Sequence, residues 1–388
     1  MNILFIPNPM PAHLIPLLSL AKTLDVNRFN SAFLVPKGFH YDIEKNGFQH
    51  LGIDRKGEDK LMPEISAIST FDPDVIVDDL NYFSYFSSRL FNIPRVSVVR
   101  KGILPFESYN PAFRHSSDVI DYFTSLGEIE FDDSVIEKPK SISDLFRGKI
   151  NIIPSIKSIE TLPEELSTDS SYVYSGPLLL SDEDMIGSHF SQEMLQSAKK
   201  FIEQNSDKKL VYVDLGLFQP DIILNRIEKC FEILFDQPDI AILTNSTKYK
   251  CKNESEEQRL FVSDFLPNNL VYSNVDLAIH KCGSGTYNYQ VNYQVFSIVL
   301  GSNCYDRDEI AMRLETLGVS KYISPNLEDD EYYQLFEESV LKSLNETSNE
   351  KKERRNALAS IKEEILVTQN EFDFEKILKS TRKKTIRI

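Results

Sequence analysis

The run Val275-Asp276-Leu277-Ala278-Ile279-His280-Lys281-Cys282-Gly283-Ser284-Gly285-Thr286 constrains the fold more than any other stretch of this chain. Residues 275–279 have the length and apolar character of a short buried strand, Gly283, Ser284 and Gly285 break it, and a helix is expected to start near Thr286. A strand that turns through glycines into a helix leaves the first N–H groups of that helix without intrahelical acceptors, which suits an anion such as a phosphate. Lys281 adds a full positive charge beside the turn. The same glycines also serve a tight turn with no ligand, so the turn alone leaves both readings open.

Strands and helices alternate on both sides of this run. Asn2-Ile3-Leu4-Phe5-Ile6 reads as a strand, four prolines follow, and Leu14, Ile15, Leu17, Leu18, Ala21 and Leu24 fall at helical spacing. Further strands are predicted over 32–35, 75–79, 96–99, 151–153 and 172–174, with a helix over 82–91. After the polar stretch 181–192 the alternation restarts with a strand over 210–214, an amphipathic helix over 220–235 and strands over 240–243 and 296–300. Past Tyr333 the pattern is helical. Two α/β halves are therefore expected, each Rossmann-like. The boundaries predicted are a first domain over 1–180, a linker over 181–207, a second domain over 208–368 and a C-terminal helix and tail over 369–388.

With 388 residues the chain is long enough for two ordinary domains, and 41% apolar and 26% charged residues place it among globular proteins. A formal net charge of −16 argues against a nucleic-acid partner, because phosphate contacts need a basic surface. The basic residues Lys379, Arg382, Lys383, Lys384 and Arg387 read as a solvated tail. Cys230, Cys251, Cys282 and Cys304 lack metal-ligand spacing and suggest no disulfide framework, which fits a reducing cytoplasm. No run is long enough to cross a bilayer, and the prolines in the apolar N-terminus are unlike a signal peptide. Asp182-Glu183-Asp184 is a formal Asp-x-Asp, read as solvated charge in an acidic linker, and no metal site is expected.

The order of segments around the central run resembles the donor-binding half of nucleotide-sugar glycosyltransferases of the GT-B fold, in the family that glycosylates antibiotics, macrolides and plant metabolites. The resemblance rests on Val262-Ser263-Asp264-Phe265-Leu266-Pro267-Asn268, the turn His280 to Thr286, the strand Val295-Phe296-Ser297-Ile298-Val299-Leu300 and Asp306-Arg307. The opening Met1 to Phe5, with Pro11-Ala12-His13-Leu14-Ile15-Pro16, resembles the same family's first loop, with Ala12 in place of its usual glycine. The resemblance implies an α/β GT-B architecture of two Rossmann-like domains facing each other across a cleft, the first binding an acceptor and the second a nucleoside-diphosphate sugar. It implies that residues 369–388 cross back to the first domain.

By resemblance His13 is the general base, and Asp78 its partner with Asp79 a register slip away; an N-cap is the alternative role for the aspartate. Donor binding is implied for Gly216, Phe265, Asn268, Lys281, Gly283, Ser284, Gly285, Thr286, Asp306 and Arg307. Phe265 would stack on the base, and Asp306 and Arg307 would meet sugar hydroxyls. This chain departs from the family at Asp214, Lys281, Cys282, Tyr289 and Arg307. Asp214 stands where a serine faces the phosphates, with Lys281 as its expected counter-charge, and Tyr289 where a glutamate binds ribose. Phe106, Tyr109, Phe113, Tyr122, Phe123 and Phe131 would line an acceptor pocket or serve as core.

The function implied is metal-independent, inverting transfer of a sugar from a UDP- or dTDP-sugar to a hydroxyl of a small, apolar natural product, with no cofactor. Two other expectations stand beside it: a catalytically silent relative that supports a partner enzyme, and a nucleotide-sugar epimerase of related fold.

Overall fold

The computed structural model describes residues 1–53, 61–101, 139, 142–185, 190–216, 221–246 and 249–382. The chain divides into two compact units, one of residues 1–180 with 367–388 and one of residues 181–366.

In the first unit the strands are β1 (Asn2–Pro7), β2 (Asn30–Pro36), β3 (Gln49–Ile53), β4 (Val75–Asp79), β5 (Arg95–Val98), β6 (Ile150–Ile153) and β7 (Tyr172–Tyr174). They form one sheet in the order β3-β2-β1-β4-β5-β6-β7, and every pairing is parallel. A parallel strand needs a crossover to its neighbour, so helices cover the sheet and its central strands carry unbroken apolar runs. One such layer joins Leu4, Ile6, Ala32, Leu34 and Ile76 to Ile68 of the helix Leu61–Phe71. The order reverses between β1 and β4, which is the topological switch point where ligands bind in open α/β sheets.

The C-terminal helix Phe374–Thr381 belongs to this unit. Asp373 caps it by accepting from the Lys376 N–H at 2.9 Å, and Glu375 pairs with Arg28 at 3.0 Å.

The second unit has β8 (Lys209–Asp214), β9 (Ile240–Thr244), β10 (Leu260–Val262), β11 (Leu277–His280), β12 (Ser297–Leu300) and β13 (Ser320–Ile323), ordered β10-β9-β8-β11-β12-β13 and again wholly parallel. Its switch point lies between β8 and β11. Val211, Val213, Ile242, Ile279 and Ile298 pack with Ile227 and Phe231 of the helix Asp221–Phe235 and with Phe336 of the helix Asp329–Leu344.

The strands β3, β10 and β13, edge strands of three to five residues, escape prediction, whereas the edge strand β7 is legible from its aromatic and β-branched run Tyr172-Val173-Tyr174. An edge strand is partly exposed and needs no apolar run. The central strand begins at Leu277 and its helix at Ser284, each two residues from the sequence expectation.

The acidic triplet is corrected at Asp182. Its side chain is buried and accepts from the Asn269 N–H at 3.1 Å, the Asn269 Nδ2 at 2.9 Å and the Leu270 N–H at 2.8 Å. It therefore caps the short helix Asn268–Tyr272 from a distance, satisfying N–H groups that no local side chain reaches.

Candidate functional sites at two switch points

His13 is the third residue of the helix Pro11–Lys22, which follows the β1 loop. Met10 is the extended N-cap residue and Pro11 takes the first helical position, where its missing N–H costs nothing. This start turns the imidazole toward the end of β4. There the His13 Nδ1 lies 2.9 Å from Oδ1 of Asp79. Register explains the reach: Pro7 on β1 pairs with Asp79 on β4, and the Asn8 N–H donates to the Asp79 carbonyl at 2.8 Å.

A carboxylate facing Nδ1 holds the proton on that nitrogen and leaves Nε2 as the basic one. Asp79 is buried, and its other oxygen, Oδ2, lies 3.4 Å from Nη2 of the buried Arg100.

The expectation that Asp78 is the partner of His13 is corrected. Successive side chains of a strand point to opposite faces, so Asp78 and Asp79 cannot both serve one site. Asp78 is wholly buried on the other face, where its Oδ1 accepts from Ser97 Oγ at 2.5 Å and its Oδ2 lies 3.7 Å from Arg95 Nη1. Glu64 is its buried neighbour, accepting from Asn81 Nδ2 at 2.8 Å and Ser87 Oγ at 2.8 Å. Burial pushes both carboxyl groups up to about 7, against the pull of Ser97 and Arg95 on Asp78 and of Ser87 and Asn81 on Glu64.

In the second unit the turn after β11 is built around Asp214, the last residue of β8, which pairs in register with His280. The Asp214 Oδ1 accepts from the Gly216 N–H at 2.9 Å and Asn245 Nδ2 at 2.6 Å, and its Oδ2 accepts from Thr286 Oγ at 2.9 Å. Gly216 has φ +61°, and a Cβ there would stand 3.3 Å from Cε and 3.4 Å from Nζ of Lys281. A side chain at Gly216 would thus be strained and would press on the lysine.

Lys281 is buried, and this drives its ammonium down to about 8, helped by Arg307 and opposed by Asp214. His280 is buried too, accepts from the Cys282 N–H at 3.0 Å through Nδ1, and is pushed down to about 3 by burial, so it is neutral. Cys282 adopts φ +59°, the left-handed conformation a glycine adopts without strain.

Gly283 is the N-cap of the helix Ser284–Asn292 and offers no side-chain cap. A Cβ at Gly285 would meet nothing, and one at Gly283 only Thr286 Oγ at 3.7 Å, so crowding within the chain does not account for either glycine. The first turn of this helix is where an anion would be held.

The remaining predicted residues fall as follows. Asn268 opens its short helix and turns to Tyr212, whose hydroxyl donates to its Oδ1 at 3.3 Å. Phe265 is half-buried in the loop after β10. Arg307 lies in the helix Tyr305–Thr316 and is felt electrostatically at Lys281. Asp306 lies in the same helix, with its side chain outside those described, and the aromatics Phe106, Tyr109, Phe113, Tyr122, Phe123 and Phe131 are outside the described residues. Tyr289 points into the core, 3% exposed and stacked on Tyr272 with centroids 5.9 Å apart.

Sequence reasoning missed Arg100 and Asn245. Both are polar residues just past an apolar strand, β5 and β9, beside the central strand of the respective sheet. That position at a carboxyl strand end is the signal that could have found them.

Two wholly parallel α/β sheets, one in each unit, match the GT-B class of fold. Solved structures of that class cover nearly the whole chain. A glycotransferase of kitacinnamycin is 14% identical over 98% of this chain and 97% of its own, with a TM-score of 0.69. The spinosyn forosaminyltransferase SpnP is 16% identical over 98% and 99%, with a TM-score of 0.65. The spinosyn rhamnosyltransferase SpnG, complexed with thymidine diphosphate, is 15% identical over 95% and 96%, with a TM-score of 0.63. At such identities the likeness shows the fold. No family model matches the chain, and no curated protein sequence matches it. No helix among the described residues is long and apolar enough to cross a membrane.

Proposed function

We propose that this protein is a glycosyltransferase that moves a sugar from a nucleoside-diphosphate sugar to a hydroxyl of a small, apolar natural product, with inversion and without a metal. The single observation that carries this reading is the His13–Asp79 pair at the switch point of the first sheet. An acceptor hydroxyl is far too weak an acid to ionise near neutral pH, so its proton must leave as its oxygen attacks the anomeric carbon. His13 Nε2 takes that proton. Asp79 holds the imidazole tautomer and stabilises the imidazolium, as an orienting carboxylate does in other base pairs of this kind.

One bond forms to the anomeric carbon as the bond to the diphosphate oxygen breaks, so a single displacement inverts the centre. The leaving diphosphate gains charge. Lys281 and the first turn of the helix Ser284–Asn292 are the positive groups available to it, in place of a metal ion. The thymidine diphosphate in the SpnG structure makes dTDP-sugars the first donors to try, with UDP-sugars beside them.

The test is release of nucleoside diphosphate from a panel of both donor types with polyketide and aromatic acceptors, in EDTA and then with Mg²⁺. Turnover in EDTA that His13→Ala lowers by about 10²–10⁴-fold supports the reading. Turnover that needs Mg²⁺ removes the metal-independent part, and no turnover with any donor removes the transferase. A second reading, a silent relative that binds without catalysis, is favoured by one observation only, the carboxylate of Asp214 at the anion turn.

A further inference from the structure

We propose that the Asp214 carboxylate is a resident anion at the turn after β11, and that it makes the site discriminate against ligands by their negative charge. The inference deepens the glycosyltransferase reading and rests on it for the identity of the ligand. Asp214 is buried and held by three donors from three different segments: the Gly216 N–H and Asn245 Nδ2 on Oδ1, and Thr286 Oγ on Oδ2. Asn245 is itself oriented, since its Oδ1 accepts from the Leu215 N–H at 2.9 Å. The carboxylate is thus built into the turn rather than swinging at its edge.

Two consequences follow from donor arithmetic and charge. A threonine hydroxyl has one proton and a backbone N–H has one, so Thr286 and Gly216 have given to Asp214 what a phosphate oxygen would need. A phosphate arriving at the helix start also meets a fixed like charge, and repulsion in a partly buried site grows with the ligand's charge. Lys281 lies against Gly216 and feels Asp214, so its charge is shared with the resident carboxylate before any ligand arrives. A nucleoside diphosphate carries roughly one more negative charge than the corresponding nucleotide sugar, because its terminal phosphate is free to ionise. Asp214 therefore penalises the product more than the donor, and favours release of the spent nucleotide.

The experiment is calorimetry of the full chain with dTDP, UDP, dTDP-glucose and UDP-glucose, comparing the native protein with Asp214→Asn and Asp214→Ser. Asparagine keeps the shape and an acceptor oxygen while removing the charge, and matched melting curves establish that a variant is folded. The expected result is at least a tenfold gain in affinity for the free diphosphates, about 1.4 kcal/mol, with a smaller gain for the sugar nucleotides. Folded Asp214→Asn that binds the diphosphates no more tightly than the native protein overturns the inference. Absence of diphosphate binding in every variant overturns it together with the functional reading. A gain in the variants without sugar transfer by the native protein retains the resident anion and removes the transferase.

Discussion

Asp78 and Asp79 are chemically the same and adjacent in the chain, yet they do different work. Asp79 meets His13 and Arg100 at the sheet's carboxyl edge, whereas Asp78 is sealed with Ser97, Arg95 and Glu64 on the far face. Asp79→Asn should lower turnover by about 10²–10⁴-fold, because an amide neither enforces the tautomer nor stabilises the imidazolium. Asp78→Asn should leave turnover of the folded protein within a few-fold. Steady-state kinetics of the two variants side by side decides this, and equal losses would return the partner role to Asp78. The sequence shows that an aspartate ends β4 but not which of the two faces the site. That choice follows from strand register, since a slip of one residue moves every side chain to the other face.

At the scale of elements, the strand–turn–helix after β11 was legible because apolar length, glycines and a polar helix start all lie within one short window. What fixes the neighbouring helix Asn268–Tyr272 was not. Its start is capped by Asp182, which lies 87 residues away in sequence. An N-cap residue is recognised by its place immediately before a helix, and a cap from elsewhere in the chain leaves no such mark. Asp182→Ala should cost about 1–2 kcal/mol, the range of a lost cap, measured by urea unfolding of the whole chain. A change below about 0.3 kcal/mol would mean that water replaces the carboxylate without loss. Tyr289 teaches the same lesson: the resemblance puts it where the family has a ribose-binding glutamate, and packing against Tyr272 turns it inward.

For the molecule as a whole, the buried acids of the first unit should shape stability against pH. Glu64 titrates near 4.5 in the unfolded chain and is raised to about 7 in the folded one. A raised folded value means that the folded state holds the proton more tightly, so the stability this group contributes is fully present below about pH 4.5 and is lost as pH rises through 7. Asp78 acts in the same direction. Glu64→Gln removes the Glu64 share: its oxygen can still accept from Asn81, and its new N–H can donate to Ser87. The variant should melt about 6–12 °C higher than the native protein at pH 8, corresponding to about 3 kcal/mol, with the difference closing toward pH 4.5. Thermal melts at several pH values check this, and a difference that does not vary with pH would show that folding does not raise the Glu64 carboxyl.

By itself the sequence determined two parallel α/β halves and the places where chain segments leave their sheets, because apolar strand runs and glycine turns are local properties. His13 was singled out by the resemblance of its loop to the glycosyltransferase family rather than by any local property of the residue. Only the tertiary structure decided the company these residues keep. Asp79 reaches His13 across 66 positions and Thr286 reaches Asp214 across 72, and Arg100 and Asn245 join them only because parallel strands bring their carboxyl ends to one edge. Periodicity records which face of an element is apolar. It does not record which polar groups a sheet gathers at its switch point, because that gathering depends on strand order and register.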